Sequence, residues 1–311
     1  AQNVAQLAVF RTLLGVGMGG EWATGAALVA ETWPSEHRGK ALGLMQSSWA
    51  VGYAVAAALT ALILPRFGWR VLFFVGVFPA LVTLWIRRRV PEPEIWRAAR
   101  AEAARTGEVT PLKALFAAEL RRRTAITTTM NAATMFGWWG LFTWIPGYLS
   151  LPTSQGGRGL TIVQTSTWVI LMQVGMWFGY TTFGLLSDIA GRKRTYIAYL
   201  LAAAGLVFVY GLTTSPMRLL LLGPVVAFFG TGYFTGFGAI ASELFPTAVR
   251  GTAMGFAYNL GRGLSAAAPY TVGRLSETHG LGASFLITSV AFLLAALLAS
   301  RLEETRGKPL E

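Results

Sequence analysis

Long apolar stretches separated by short polar segments run along the whole 311-residue chain. The length of each stretch is close to or above the roughly 20 residues that a helix needs to cross the hydrocarbon core of a bilayer. Gly and Pro within several stretches are tolerated in membrane helices. The pattern therefore predicts an all-α polytopic membrane protein with about nine transmembrane helices. The stretches are 4–28, 40–64, 71–86, 124–149, 162–186, 195–213, 219–242, 252–273 and 283–300.

Composition supports this interpretation and decides how the net charge is understood. Hydrophobic residues make up 54% of the chain and the mean hydropathy is +0.52, outside the range of soluble domains. The charge of +12 would suit a nucleic-acid-binding protein. However, if the long segment 87–123 is cytoplasmic, 19 of the 26 basic residues lie on that side and five on the other. This positive-inside pattern predicts a plasma (inner) membrane protein with a cytoplasmic C-terminus, and it disfavours nucleic acid as a partner.

A nine-residue pattern occurs twice. Residues 31–39 read ETWPSEHRG and residues 243–251 read ELFPTAVRG, so Glu, Pro, Arg and Gly recur with an offset of 212. The same offset aligns further positions over three successive predicted helices, including Gly68 with Gly280. A long parallel repeat in a membrane protein indicates two homologous helix bundles around a site near the midplane.

The repeat also predicts the domain organisation. Residues 1–86 would be the remainder of an N-terminal bundle, 87–123 a cytoplasmic inter-domain loop, and 124–311 a six-helix C-terminal bundle with a short cytoplasmic tail. The first bundle then contains three helices where the second contains six. We therefore expect three further helices upstream of residue 1, so that the nine spans correspond to helices 4 to 12 of twelve.

Several motifs resemble those of the major facilitator superfamily. GLLSDIAGRKR at 184–194 is similar to its G-x-L-x-D-x-x-G-R-K loop, and RTLLGVGMGGEWATG at 11–25 is similar to its helix-4 motif. VPEPEIW at 90–96 and LEETRGK at 302–308 resemble segments of sugar porters, although Glu303 stands where that branch has Pro. GGEW and the run at 131–149 resemble proton-linked carboxylate and aromatic-acid symporters instead. The resemblance implies alternating-access transport.

Glu21 is the acidic residue placed most clearly inside a predicted span. A carboxylate within a membrane helix is costly and marks a functional site, so Glu21 is the candidate proton carrier. The alternative is a structural ion pair with a buried arginine. Arg11 lies ten residues earlier, about 15 Å along the helix and too far for direct contact, so Arg262 is the better partner. Arg11 remains a second candidate for proton coupling.

Arg262 lies near the middle of its predicted span and is the candidate ligand of an anionic substrate, because a guanidinium matches a carboxylate bidentately. Its alternative role is that of a buried structural arginine. In the superfamily, helices 7 and 10 line the transport cavity, and this adds polar and aromatic candidates on and beside those helices. The predicted substrate-binding set is Arg262, Asn259, Asn131, Trp138, Trp139, Gln173, Trp177 and Tyr233.

Charged residues of the repeat and of the loop at 184–194 lie at predicted cytoplasmic helix ends. Pairs of such charges that form in one state and break in another bias a rocking transition, and the resemblance assigns them this gating role. The alternative is anchoring of the topology by basic residues. The predicted gating set is Glu31, Arg38, Asp188, Arg192, Glu243 and Arg250.

The sequence gives no indication of catalysis. It has no cysteine, no His or Asp pair at metal-ligand spacing and no P-loop, and GVGMGG at 15–20 lies within an apolar helix, so neither a metal nor a cofactor is expected. The favoured hypothesis is a monomeric, proton-coupled symporter of a small organic acid. A sugar or polyol porter is the alternative, and a membrane enzyme or a receptor is less favoured.

Overall fold

The computed structural model describes residues 2–106, 111–308 and 310, and regular structure in this part is entirely helical. A short 3-10 helix, Thr153–Gln155, lies between α7 and α8. The α-helices are α1 (Val4–Thr32), α2 (Arg38–Val75), α3 (Phe78–Arg89), α4 (Glu94–Thr106), α5 (Pro111–Ala114), α6 (Arg121–Phe142), α7 (Ile145–Ser150), α8 (Ile162–Ala190), α9 (Arg192–Leu212), α10 (Pro216–Leu244), α11 (Thr247–Ser265), α12 (Ala267–His279), α13 (Leu281–Ser284) and α14 (Leu286–Ala299).

Six helical segments in the described part of the chain are long and apolar enough to cross a membrane. The predicted spans 40–64, 124–149 and 252–273 are also largely helical but are not among these six, so the count of nine remains a prediction. Two of the three are interrupted near a proline and are rich in polar residues. The six segments are Val4–Thr32, Arg66–Ile86, Gln164–Ala190, Arg192–Leu212, Pro216–Leu244 and Leu281–Ala299.

The segment predicted as an inter-domain loop is partly helical. It contains α4 and α5, while residues 107–110 lie outside the described residues. Phe116, just after α5, packs edge-on against Phe256 of α11, with ring centroids 5.6 Å apart. The guanidinium of Arg100 lies 5.0 Å from the ring centroid of Trp96 on α4. This segment therefore packs on the second bundle through Phe116, while Arg97, Arg100 and Arg105 of α4 are exposed.

The 212-residue repeat is visible in the geometry. Gly68 and Gly280 both adopt a left-handed backbone, with φ of 74° and 77°, which side chains with a Cβ rarely adopt. Arg38 Nε donates to the carbonyl eight residues earlier at 2.9 Å, and its counterpart Arg250 Nε does the same at 2.7 Å. The two segments therefore share a local fold as well as a sequence pattern.

Small residues bring α2 of the first half against α8 of the second. A Cβ at Gly43 would lie 2.8 Å from the carbonyl oxygen of Tyr180, and a Cβ at Gly184 would lie 2.5 Å from that of Gly39. Both distances are far below van der Waals contact. Such close backbone approach is the usual reason for glycine at membrane helix interfaces.

This packing predicts that Gly184→Ala lowers thermal stability. Its Cβ meets backbone atoms that cannot rotate away, so overpacking is expected to cost about 1–3 kcal/mol. Gly205→Ala on α9 is the matched control, because no atom outside the adjoining backbone of α9 lies within 4 Å of its Cβ position. The measurement is the apparent Tm of the purified protein in detergent. Equal Tm values for the two variants would contradict the close packing of α2 and α8.

Candidate functional site

Three adjoining spaces lie between helices of the first half and helices of the second. The largest, the arginine lobe, has a volume of about 560 Å³ and contains both Glu21 and Arg262 in its wall. Tyr258 of α11 stacks on Trp22 of α1 at its edge, with ring centroids 4.1 Å apart and planes at 12°. The arginine lobe is lined by Met18, Glu21, Trp22, Gly25, Met45, Gln46, Ser48, Trp49, Gly52, Tyr53, Tyr258 and Arg262.

The other two spaces continue toward the second half and share aromatic side chains with the first. A narrow space of about 40 Å³ is bordered by Arg262, Trp49, Trp138 and Trp139. Beyond it lies the amide lobe, about 220 Å³. The amide lobe is lined by Trp49, Tyr53, Trp138, Trp139, Phe142, Thr143, Ile145, Pro146, Val169, Met172, Gln173 and Met176. Shared aromatic side chains thus lie between the space that contains Arg262 and the space that contains Gln173.

Arg262 is half-buried, and its guanidinium carbon lies 5.9 Å from the ring centroid of Trp139. It forms no salt bridge with any residue that the structure describes. A guanidinium so placed retains donors for a ligand and has a low-polarity aromatic wall beside it. The lobe can therefore attract a planar anion and hold it against a ring.

Glu21 does not occupy the buried environment that its place within an apolar predicted span indicates. Its side chain is exposed on α1 toward the arginine lobe, because the facing residues leave a space rather than a packed contact. Within the described residues it forms no ion pair, so the structural pair with Arg262 is wrong for this conformation. Arg11 is exposed as well, and it is not among the residues that line the three spaces.

Five of the predicted coupling and binding residues line the spaces: Glu21, Arg262, Trp138, Trp139 and Gln173. Four others do not, since the structure uses them for packing or places them elsewhere. Their role in substrate binding stays a prediction, because sequence alone does not indicate which face of a helix meets a neighbouring backbone. These four are Asn131, Tyr233, Asn259 and Trp177.

The polar groups of three of these residues are occupied by helix carbonyls. Asn131 Nδ2 donates to the carbonyl of Ala257 at 3.0 Å, joining α6 to α11. Tyr233 OH donates to the carbonyl of Thr134 at 3.0 Å. Asn259 Nδ2 donates to Gly19 at 2.7 Å and so joins the two halves.

Trp177 lies on α8 with 37% of its surface exposed. Its ring packs edge-on against Phe178, with centroids 5.0 Å apart, and it lines none of the three spaces.

The contribution of α2 to the arginine lobe was not predicted from the sequence. Gln46, Trp49 and Tyr53 line the arginine lobe, and their spacing of three and four residues puts them on one helix face. Gln46 Oε1 accepts a hydrogen bond from Trp22 Nε1 at 2.9 Å, which fixes both side chains. A polar residue and two amphipathic aromatics at helical spacing within a predicted span are the signal that could have identified this face.

At one end of the bundle, the two copies of the repeat exchange salt bridges. Arg38 of the first copy pairs with Glu243 of the second at 2.9 Å, and Arg250 of the second pairs with Glu31 of the first at 2.8 Å. All four side chains are at most 5% exposed. Burial strengthens the attraction within each pair. It also makes an unpaired charge costly, so the loss of one side chain destabilises the buried partner that it leaves behind.

Arg192 and Asp188 complete this arrangement. Arg192 pairs with Glu243 at 3.2 Å and also with Asp188. Asp188 accepts hydrogen bonds from the backbone N–H groups of Gly39 and Lys40, at 3.0 and 2.9 Å, where the N-terminus of α2 favours negative charge. All six residues predicted for gating thus meet in one place. Glu31, Arg38, Asp188, Arg192, Glu243 and Arg250 are called the charged cluster below.

The C-terminal segment also reaches the charged cluster, which the sequence did not indicate. Thr305 is buried and donates its hydroxyl to Glu243 Oε2 at 2.6 Å. Glu304 Oε1 accepts from the backbone N–H of Arg192 at 2.7 Å, at the N-terminus of α9. On the surface, the hydrogen bond and charge of Lys308, with the charge of Arg123, hold the pKa of the Glu303 carboxyl below its ordinary value.

The sequence of this chain is similar to those of known transport proteins. The family model of the Major Facilitator Superfamily matches residues 1–157 and 150–310. A "Probable 4-methylmuconolactone transporter" of Cupriavidus pinatubonensis is 36% identical, over 100% of this chain and 72% of that protein. The cis,cis-muconate transport protein of Acinetobacter baylyi is 31% identical, over 96% and 72%.

Solved structures show the same fold. The proton:xylose symporter XylE superposes with a TM-score of 0.72 at 21% identity, covering 92% of this chain and 68% of that chain.

Among the described residues, no three His, Asp or Glu side chains lie close enough together to hold a metal ion.

Proposed function

Since this chain belongs to the major facilitator superfamily and is a membrane transporter, not an enzyme, we propose that its cargo is a small organic acid, carried with a proton by alternating access. Arg262 carries this proposal. It is a half-buried guanidinium without a salt-bridge partner among the described residues, in a cavity walled by aromatic rings. A neutral sugar needs no such cation, whereas a carboxylate gains charge-assisted hydrogen bonds from it.

The relatives support the same cargo class. The two transport proteins compared above carry names that refer to muconate and to a muconolactone, and muconate is an unsaturated carboxylate. The xylose symporter shares less than a quarter of its residues with this chain, so it supports the fold alone. The sugar or polyol alternative rests on the resemblance of residues 90–96 and 302–308 to segments of sugar porters.

Binding by the purified protein tests the cargo class directly. Several tryptophans line the cavity, so ligand binding is expected to change their fluorescence. Benzoate should bind, while benzamide, which has the same ring without the charge, and xylose should bind at least tenfold more weakly. Equal binding of benzoate and benzamide, or preferential binding of xylose, would contradict an organic acid as cargo.

We propose that Glu21 carries the coupled proton, because it is the carboxylate in the wall of the arginine lobe. Glu21→Gln should abolish pH-gradient-driven accumulation in proteoliposomes but spare exchange of labelled for unlabelled acid, which needs no net proton movement. Glu277→Gln, an exposed carboxylate paired with Arg274, is the matched control. Undiminished accumulation by Glu21→Gln would exclude Glu21 as the proton carrier.

The charged cluster supports the alternating-access part of the proposal. From Glu21 to Glu31 is ten residues of α1, roughly 15 Å of helix rise, so the cluster closes the cavity at a distance from it. We place the cluster and the C-terminus on the cytoplasmic side of the inner membrane, where basic residues concentrate. Separation of the two halves at the cluster then opens the cavity to the cytoplasm.

A further inference from the structure

Trp22 is a large side chain of the first half that packs against two helices of the second half. Its ring stacks on that of Tyr258 of α11, with centroids 4.1 Å apart and planes at 12°, and the centroid of Phe237 on α10 lies 5.6 Å away. A Cβ added at Gly238 of α10 would lie 3.7 Å from Cζ2 of the indole, which is van der Waals contact. A larger side chain at Gly238 would therefore meet the ring. One indole of the first half thus fills a space that α10 and α11 leave for it.

A hydrogen bond within the first half fixes the orientation of this ring. Trp22 Nε1 donates to Oε1 of Gln46 on α2 at 2.9 Å. Gln46 is buried, and a hydrogen bond shielded from water is electrostatically stronger than one in water. The indole is held by α1, which carries it, and by α2, so it is expected to move with the first half when the two halves separate.

The stack of Trp22 and Tyr258 lies between the cavity and the charged cluster. Both residues line the arginine lobe. Glu31 follows Trp22 by nine residues on α1, and its salt-bridge partner Arg250 precedes Tyr258 by eight residues on α11. These intervals correspond to roughly 12–14 Å of helix rise. The helices α1 and α11 therefore meet at two separate levels, once at the charged cluster and once at the stack.

The fully buried residues of α1 are small, and all of them lie between Trp22 and the charged cluster. They are Ala23, Ala26, Ala27 and Ala30. Ala26 follows Trp22 by one helical turn on the same face and has no exposed surface. Small side chains allow two helices to approach closely. Trp22 is the bulky side chain at the cavity end of this row of alanines.

We propose that Trp22 is an inner gate of the transport cavity, distinct from the charged cluster, and that its ring closes the arginine lobe toward the cytoplasm. When the halves separate, the ring must leave Tyr258 before the cavity opens to the cytoplasm. Arg262 follows Tyr258 by one turn on the same face of α11, so a substrate held there lies beside the gate. The inference rests on the alternating-access part of the proposed function and not on its cargo.

Maleimide labelling of Ala26→Cys in the purified protein tests the gate, because residues 1–311 contain no cysteine of their own. Labelling should be slow, since Ala26 has no exposed surface. Trp22→Ala should raise its rate by about tenfold or more, because labelling follows the opening of the site and this variant opens a path from the arginine lobe. Trp22→Phe keeps a ring in the same place and should retain most of the protection.

Two controls separate a gate from a residue that only packs. Ser187→Cys lies buried beside Arg192 in the charged cluster, and Trp22→Ala should leave its labelling rate unchanged. Trp49→Ala removes an indole of the same lobe from α2 and should leave the labelling of Ala26→Cys unchanged. If Trp22→Ala does not fold, as judged by its apparent Tm, Tyr258→Ala removes the other ring of the stack and should give the same increase.

Equal labelling of Ala26→Cys with and without the ring would refute the gate. Parallel increases at Ala26→Cys and Ser187→Cys would refute it as well, because they indicate a general loosening of the two halves. The proposed cargo is judged separately, by benzoate binding to the unaltered protein. Loss of the gate with benzoate binding intact leaves the organic acid in place, and absence of benzoate binding contradicts the cargo without affecting the labelling result.

Discussion

Glu243→Gln is expected to open the end of the bundle that the charged cluster closes. Glu243 accepts from Arg38, Arg192 and Thr305, so its neutralisation leaves two buried guanidinium groups with too little negative charge. Breaking a buried ion pair from one side typically costs about 3–5 kcal/mol. The free energy of the closed arrangement therefore rises relative to that of an open arrangement in which these arginines contact water.

A cysteine placed at Ser187 reports this opening. Ser187 is fully buried beside Arg192, and residues 1–311 contain no cysteine, so within them a maleimide reagent labels the introduced cysteine alone. We expect labelling at least tenfold faster in the Glu243→Gln background. Glu303→Gln is the control, because that carboxylate pairs with Lys308 on the surface and should leave labelling unchanged. An unchanged labelling rate in Glu243→Gln, with benzoate binding retained, would contradict a gating role.

Arg262→Gln is expected to produce the largest change in substrate affinity. Charged hydrogen bonds contribute about 1.5–3 kcal/mol, so the Kd for benzoate should rise by roughly 10- to 100-fold. Arg262→Lys keeps the charge but lacks the planar pair of donors. Its Kd for benzoate should therefore lie between those of the unaltered protein and of Arg262→Gln. Benzamide affinity should change little in either variant, because it does not depend on the charge.

Arg274→Gln removes an exposed arginine and provides the control for the loss of one positive charge. Tryptophan fluorescence titration gives the Kd values, and the apparent Tm of each variant reports folding. Benzoate affinity that is the same in Arg262→Gln and in the unaltered protein would show that Arg262 is a packing residue, the alternative that the sequence left open.

The charged cluster could be predicted from the sequence because a repeat constrains geometry. Glu31, Arg38, Glu243 and Arg250 occupy equivalent positions in two similar segments, and all lie at helix ends where charges are tolerated. The exchange of partners between copies needs the approach of the two halves and could not be deduced from spacing. The contacts of Thr305 were not predictable either, since the tail lacks a regular period.

The cavity residues were harder to predict, because a polar side chain in a membrane helix has two means of satisfying its hydrogen bonds. Asn131 and Tyr233 bond to backbone carbonyls of packed helices, whereas Gln173 lines the amide lobe and its oxygen has no hydrogen-bond partner among the described residues. All three positions carry a polar side chain within a predicted span, so the sequence does not distinguish them. Only helix rotation distinguishes the two cases, and rotation is set by packing partners far away in the chain.

The exposed position of Glu21 has a similar cause. The sequence predicted a carboxylate surrounded by apolar helix, and α1 is indeed apolar over most of its length. Its surroundings depend on α2 and α11, which stand apart at this level and leave the arginine lobe between them. The exposure of Glu21 thus depends on the space between helices, and the residue pattern along one helix does not predict that space.

Uptake of labelled benzoate into proteoliposomes with an acidic exterior tests proton-coupled transport of an organic acid. Proteoliposomes containing Arg262→Gln provide the baseline, since passive entry of the protonated acid is the same in both. Proton-coupled transport predicts accumulation above this baseline that collapses when a proton ionophore removes the pH gradient, with no uptake of labelled xylose. Uptake equal to the baseline, or xylose uptake in its place, would contradict it.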